Sequence, residues 1–450
     1  MQGAAESNVL ALAEASKLAS AELALSSTQL RQRALLAIAE ALELNAEKIA
    51  AANEIDLANC KKRVENGELK DSLFQRLKFD RAKILSTTQG IRQIAAMPEP
   101  LGVSTLARQL DEDLELYKIS SSIGVVAVIF EARPEAMPQI LALCLKTANA
   151  VLLKGGSEAE RTNRLLFEIM QSAASAAGVP QAAFALLETR ADVKQLLNAD
   201  AFVDLIIPRG SNELVRSIQE NTRIPVLGHA AGICHVYVDK TADLKMAEEV
   251  ILDSKCQYPS ACNAVETVLI HKDVLERILP ALCAALQKRA VELRVDECCL
   301  QSLEKITNAE HDFDFDLLKA ANENDWKEEY GELILSLKAV SSMQEAIEHI
   351  NKFGSGHTEA MIAQDRTRFE RFFRAVNSAG IYLNASTRFA DGYRYGFGAE
   401  LGISTSKMHP RGPVGIEGLL SYKYKILGKG HLVADYSGTN AKVFLHKDLS

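Results

Sequence analysis

The stretch Tyr258–Thr267, YPSACNAVET, places a thiol, Cys262, after Ser260 and Ala261 and directly before Asn263. A structural cysteine packs as a small hydrophobe in an apolar run. A nucleophilic one needs exposure and a lowered pKa instead. The backbone N–H groups of such a polar loop also suit an oxyanion, so Cys262 and Asn263 are the catalytic candidates. Taken alone, a single cysteine in a loop is more often a bystander. Cys256 ranks second; Cys60, Cys144, Cys234, Cys283, Cys298 and Cys299 lie in helical or apolar patterns and read as packing. No Cys-x-x-Cys pair occurs, so neither a structural zinc site nor any other metal site is expected.

Two turns have the composition of phosphate cradles. In LLKGGSEAERT, Gly155 and Gly156 let backbone approach a ligand, with Lys154 ahead and Arg161 behind. In IIPRGSNEL, Gly210 and Ser211 lie where a helix start would present N–H groups to an anion. Gly-Ser is also ordinary N-cap chemistry, so each turn alone is as readily structural. The common dinucleotide and P-loop fingerprints are absent.

The elements that must hold these groups follow from periodicity. Up to about Ala95 the chain is rich in alanine and leucine and reads as helical. Ser26 and Gln29 have capping-box spacing there, ahead of Leu35, Ile38 and Leu42 on one face. MPEPLG closes this region, and LELYKIS follows as a strand or hairpin arm. From Ile123, the β-branched runs GVVAVIFE, AVLLKGG and VDLIIPRGS alternate with helical segments, the pattern of parallel strands covered on both faces. A second α/β run starts near Val236 and includes ETVLIH, a helix from about Val274 and the helix QEAIEHINKFG. LSYKYKILGKG alternates like an edge hairpin.

A chain of 450 residues implies two or three domains. Its apolar fraction of 48% and charged fraction of 24% are those of a globular protein, and a net charge of -8 argues against a nucleic-acid surface. The N-terminus lacks the layout of a secretory signal. Apolar stretches such as ILALCLKTANAVLL contain lysine and fall short of a membrane span. Eight cysteines in a chain of this length suggest reduced thiols and a cytoplasmic setting.

Nine blocks then stand in order: GVVAVIFEARPEA, LKGGSEA, VDLIIPRGSNEL, GHAAGICHVYVD, CNAVET, GSGHTEAM, NASTRFADG, FGAELGIST and HPRGPVGIEGL. On these the chain, over nearly all of Ser26 to Gly430, resembles the gamma-glutamyl phosphate reductases (glutamate-5-semialdehyde dehydrogenases), a proline-biosynthesis branch of the aldehyde dehydrogenase superfamily. The resemblance implies an aldehyde dehydrogenase-like α/β fold of two doubly wound domains with a β-hairpin oligomerisation arm. Residues 1–101 and 123–234 would bind NADPH, 235–415 would carry the nucleophile, and 102–122 with 416–450 would form the arm.

The implied reaction is NADPH-dependent reduction of L-glutamate 5-phosphate to L-glutamate 5-semialdehyde, through a thioester on Cys262 and with release of phosphate. Lys154 matches the lysine that holds the adenosine ribose. Ser157, where NAD-preferring relatives often carry glutamate, leaves room for a 2′-phosphate, with Glu158 beside it as the point of conflict. Arg209, Gly210 and Ser211 fall at the pyrophosphate with Gly155 and Gly156, and Glu332 falls at the nicotinamide ribose or is simply solvated. Two departures matter. His229, in GHAAG, stands where hydrolytic relatives carry a water-activating glutamate, and FEARP replaces PWNFP, offering Arg133 as a fork for phosphate or carboxylate. Arg388 and Arg411 are candidates for the substrate's α-carboxylate or for packing. A homo-oligomer is expected, and glutamate 5-phosphate would come from a separate glutamate 5-kinase, contact with which is left open. The rival readings are another acyl-phosphate or aldehyde oxidoreductase of the superfamily, and a catalytically silent scaffold.

Overall fold

The computed structural model describes residues 8–68, 71–131, 133–228, 231–305 and 313–449. They fall into two units, the first running to Leu227 and resuming at Phe397–Gly402 and from Val414 onward, the second holding Gly228–Gly396 and Ile403–Pro413.

The first unit opens with five helices: α1 (Val9–Ala24), α2 (Thr28–Leu44), α3 (Ala46–Glu65), α4 (Asp71–Leu77) and α5 (Arg81–Ala96). The N-cap of α2 is Ser27, not Ser26. Ser27 is extended, with φ -72° and ψ 155°, so its oxygen accepts from the Leu30 N–H at 3.2 Å. The Ser26 hydroxyl instead donates to the Leu23 carbonyl and closes the preceding helix. Leu35, Ile38 and Leu42 are buried on one face of α2 as their spacing requires.

A hairpin follows, β1 (Ser104–Asp111) and β2 (Leu114–Ser122), then β3 (Val125–Phe130), α6 (Ala136–Lys146), β4 (Ala150–Lys154), α7 (Glu160–Ala176), β5 (Phe184–Leu187), α8 (Arg190–Leu196), β6 (Leu205–Arg209) and α9 (Asn212–Glu220). Among the described residues the parallel sheet has the order β5-β4-β3-β6. Every residue of β3 and β4 is buried, because helices cover both faces. The carboxyl ends of β3, β4 and β6 deliver Arg133, Lys154 and Arg209 to the loops above the sheet.

The second unit contains β7 (Cys234–Val238), α10 (Leu244–Cys256), β8 (Val265–His271), α11 (Lys272–Gln287), β9 (Glu292–Val295), α12 (Glu297–Lys305), β10 (Leu318–Ala320), β11 (Ile334–Val340), α13 (Met343–Phe353), β12 (Thr358–Ile362), α14 (Arg366–Ala375), β13 (Gly380–Leu383) and the short pair β14 (Ile403–Ser404) and β15 (Gly412–Pro413). Its parallel sheet runs β10-β9-β11-β8-β7-β12-β13 among the described residues. Side chains alternate between two apolar layers. Val236, Val238, Val268 and Ile270 pack on one face, Tyr237, Leu269 and Met361 on the other.

The last strands return to the first unit. β16 (Leu420–Leu427) pairs antiparallel with β2, Leu420 opposite Ser122, and β17 (Lys447–Asp448) pairs with β1. LSYKYKILGKG is therefore a single edge strand rather than a hairpin; its partner is the distant β2. Tyr422, Tyr424 and Ile426 on β16 are exposed.

Candidate active site

Cys262 lies in the turn between α10 and β8, and several contacts fix that turn. The Ala264 N–H donates to the Ala261 carbonyl at 2.8 Å, and the buried Asn263 amide donates to the Ala390 carbonyl at 2.8 Å. From beneath, the Cys234 thiol donates to the Cys262 carbonyl at 3.4 Å. Gly232 packs directly against the same backbone: a Cβ there would lie 2.6 Å from Cys262 Cα and 2.8 Å from its carbonyl carbon. Only a residue without a side chain fits so close an approach.

Two nearby thiols compare poorly. Cys262 is half-buried, so a substrate can reach it. Cys234 is fully buried, which pushes its thiol well up. Cys256 ends α10, and burial raises its thiol too, with Arg289 and Lys255 opposing. A raised pKa suppresses the thiolate that a nucleophile requires.

Arg388 follows β13 and is buried. Its Nε donates to Gln257 Oε1 at 2.9 Å, and its guanidinium lies 5.8 Å from the Tyr258 ring centroid. Burial lowers its pKa, as does Arg394, while Cys262 is the first of the groups acting the other way. Among the described residues no carboxylate forms an ion pair with Arg388, although a buried guanidinium ordinarily requires one. Arg411 is exposed and donates to the carbonyl and amide oxygens of Asn377 at 3.2 and 3.3 Å. Glu332 is exposed in the turn before β11. His229 lies outside the described residues.

A pair that sequence reading passed over flanks the nucleophile loop. Lys255 on α10 and Glu266 on β8 are wholly buried, with Nζ 2.6 Å from Oε2. Burial pushes Glu266 up to about 8, against the pull of Lys255, and pushes Lys255 down against the pull of Glu266. Each residue alone looks like an ordinary member of its helix or strand. Only a strand placed beside the helix end brings them together.

The remaining candidates lie in the first unit. Lys154, at the end of β4, is buried, and its Nζ donates to the Gly155 carbonyl at 2.6 Å. Burial lowers its pKa and Glu158 opposes that. Glu158 turns inward: a Cβ on Gly156 would sit 2.5 Å from the Glu158 carboxyl carbon. Ser157 is exposed at the start of a short turn. Arg209 ends β6, and Ser211 is the N-cap of α9, its side chain accepting from the Leu214 N–H. The Ser211 N–H donates to Glu131 Oε2 at 2.8 Å, so this helix start already holds a carboxylate. Gly210 is pinned beneath it, since a Cβ would meet Glu131 Cδ at 2.7 Å and Leu214 Cδ2 at 2.8 Å. Arg133 is half-buried after β3. Near it burial raises the Glu135 carboxyl, with Lys83, Arg133 and Arg209 opposing. The Ser211 N–H that donates to Glu131 is the kind of donor that could equally serve an anionic ligand oxygen.

Comparison with known proteins gives a consistent result. The aldehyde dehydrogenase family model matches residues 1–301. A gamma-glutamyl phosphate reductase of Ruminiclostridium cellulolyticum is 48% identical over 432 residues, 96% of this chain and 96% of that one. One from a Synechococcus species is 48% identical over 448 residues, 99% of this chain and 96% of that one. The crystal structure of a gamma-glutamyl phosphate reductase from Thermotoga maritima matches with a TM-score of 0.88 at 33% identity, covering 94% of this chain and 99% of that one.

Proposed function

This chain belongs to the gamma-glutamyl phosphate reductases of the aldehyde dehydrogenase family and is an oxidoreductase of that type; from that premise we propose that it reduces L-glutamate 5-phosphate to L-glutamate 5-semialdehyde with NADPH, as a step of proline biosynthesis. The observation that carries the reading is Cys262, half-buried in a polar turn, with the buried Arg388 guanidinium acting on it from the same unit.

Cys262, as thiolate, attacks the acyl carbon; the bond to the phosphate oxygen breaks, and phosphate leaves with the electron pair. A thioester accepts hydride far better than a carboxylate does. Bound NADPH supplies that hydride. The resulting thiohemiacetal on Cys262 collapses, the C–S bond breaks, and the thiolate is restored as the aldehyde departs. Arg388, with no carboxylate ion-paired to it among the described residues, is suited to an anionic group of the substrate. Arg133 and Arg411 are further candidates for that role. Asn263 acts by holding the loop, through its bond to Ala390. Lys154, Gly155, Gly156, Ser157, Arg209, Gly210 and Ser211 would hold the cofactor, with Glu332 at the nicotinamide ribose. The arm strand β16 presents an unpaired edge suited to a second copy of the chain. No helix among the described residues is long and apolar enough to cross a membrane; the proposed setting is the cytoplasm, where a biosynthetic reductase of this kind would act.

The test is phosphate-dependent NADP reduction with glutamate 5-semialdehyde, run on the native chain and on Cys262→Ala. Turnover that requires phosphate, exceeds that with simple aldehydes and vanishes in the variant is expected. Equal turnover of simple aldehydes would move the enzyme to another branch of the family. A native chain with no turnover and no reactive thiol would be a scaffold.

A further inference from the structure

The loop bearing Cys262 begins as α10 ends and finishes as β8 begins. Lys255 stands one residue before the end of α10, and Glu266 is the second residue of β8. The carboxylate of Glu266 has two attachments: Oε2 accepts from Lys255 Nζ at 2.6 Å, and Oε1 accepts from the Gly331 N–H at 3.3 Å. Gly331 precedes Glu332, and Tyr330 on its other side is anchored through its hydroxyl to Asp325 and Ser336, each at 2.8 Å. Lys255 Nζ lies 6.0 Å from the Tyr330 ring centroid.

A completely buried ion pair is poorly explained by stability. Two charges are costly to desolvate, and an apolar pair of similar volume often holds a fold equally well. Hydrogen bonds differ from apolar contacts in fixing distance and direction, whereas dispersion tolerates slip. We propose that Lys255 and Glu266 form a positioning clamp that sets the separation of the two stems of the nucleophile loop, and hence the placement of the Cys262 sulfur. Through Gly331 the same carboxylate ties that loop to the turn carrying Glu332. The proposal rests on Cys262 being the nucleophile. In this role both are positioning residues, acting through the loop.

The test uses the full chain and two variants, the double substitution Lys255→Met/Glu266→Leu and the single Glu266→Asp. Thermal unfolding, kcat and KM are measured, together with the rate of Cys262 alkylation by iodoacetamide, followed on its peptide by mass spectrometry. The double variant should melt close to the native chain and keep its KM for the cofactor. Its kcat should fall by about 10- to 100-fold, and alkylation should change by at least about threefold, because a displaced nucleophile loses alignment and environment together. Glu266→Asp keeps the carboxyl group but shortens the reach, so it should show both losses as well; it also stands in if the double variant does not fold. A folded variant with native kcat and native alkylation overturns the clamp, as does a loss of kcat with alkylation unchanged. Alkylation requires no substrate. It therefore decides the clamp even if acyl-phosphate reduction proves not to be the reaction.

Discussion

Gly232→Ala should cripple the enzyme without touching a reacting group. The added Cβ would lie 2.6 Å from Cys262 Cα, where ordinary contact begins at 3.4 Å. The difference, 3.4 − 2.6, means that backbone must yield by about 0.8 Å, and neither side is a flexible side-chain tip. Asn263 is held by Ala390 and the Cys262 carbonyl by Cys234, so strain enters the loop that carries the sulfur. A misplacement of ~1 Å at a reacting atom can cost about 100-fold, equivalent to ~2.7 kcal/mol of barrier. Single-turnover rates with saturating substrate and cofactor measure the step directly, and cofactor binding, assigned to the first unit, should hold near native affinity. A variant that folds and keeps its single-turnover rate within threefold of native would refute the reasoning, because the close approach would then be irrelevant to sulfur placement.

Other outcomes follow from the same geometry. Cys262→Ala should lose several orders of magnitude in turnover while still binding NADPH, and Cys256→Ala should be mild; retention of a tenth of the rate in the first (about 1.4 kcal/mol of barrier) would displace the nucleophile. Ser157→Glu should erode preference for NADPH over NADH by like-charge repulsion, in steady-state kinetics with both cofactors; Glu158 already turns toward this turn, so an unchanged ratio would remove Ser157 from cofactor selection. If His229 stands where hydrolytic relatives carry a glutamate, as the resemblance implies, glutamate 5-semialdehyde and NADP without phosphate should give a burst of about one equivalent of NADPH per site. Sustained turnover to free glutamate would return the chain to hydrolytic chemistry. Burial, with His235, Lys338 and Lys352, pushes His349 down to about 3. A depressed histidine contributes stability that is present above its unfolded pKa near 6.5 and lost as pH falls toward the folded value. Relative to His349→Leu, the native chain should therefore lose about 2 kcal/mol in urea unfolding between pH 7 and pH 5, and parallel profiles would discard the assignment.

What was legible in the chain depended on how far apart the cooperating residues stand. β3 and β4 could be read because strands buried on both faces are nearly continuous apolar runs, and Cys262 stood out because its neighbours are not. Short strands such as β5, β9 and β10 carry too few residues to show a period. Ser26 and Ser27 are both plausible caps, and only backbone conformation chooses between them. Gly232 and Cys262 are separated in sequence, so nothing local announces why that glycine is required. Likewise Gly210–Ser211 could be recognised as an anion site, whereas the Glu131 carboxylate that fills it comes from the next strand over. Lys255 and Glu266 look unremarkable until α10 and β8 are side by side.

That carboxylate changes how cofactor affinity should be understood. The start of α9 is an occupied receptor whose tenant is tethered to the same chain. If a dinucleotide phosphate were to use the Ser211 N–H, it would have to displace Glu131, and its observed dissociation constant would equal the intrinsic one divided by the fraction of molecules in which Glu131 has swung away. The same carboxylate would return as such a ligand left, so the Ser211 N–H would have an acceptor in either state.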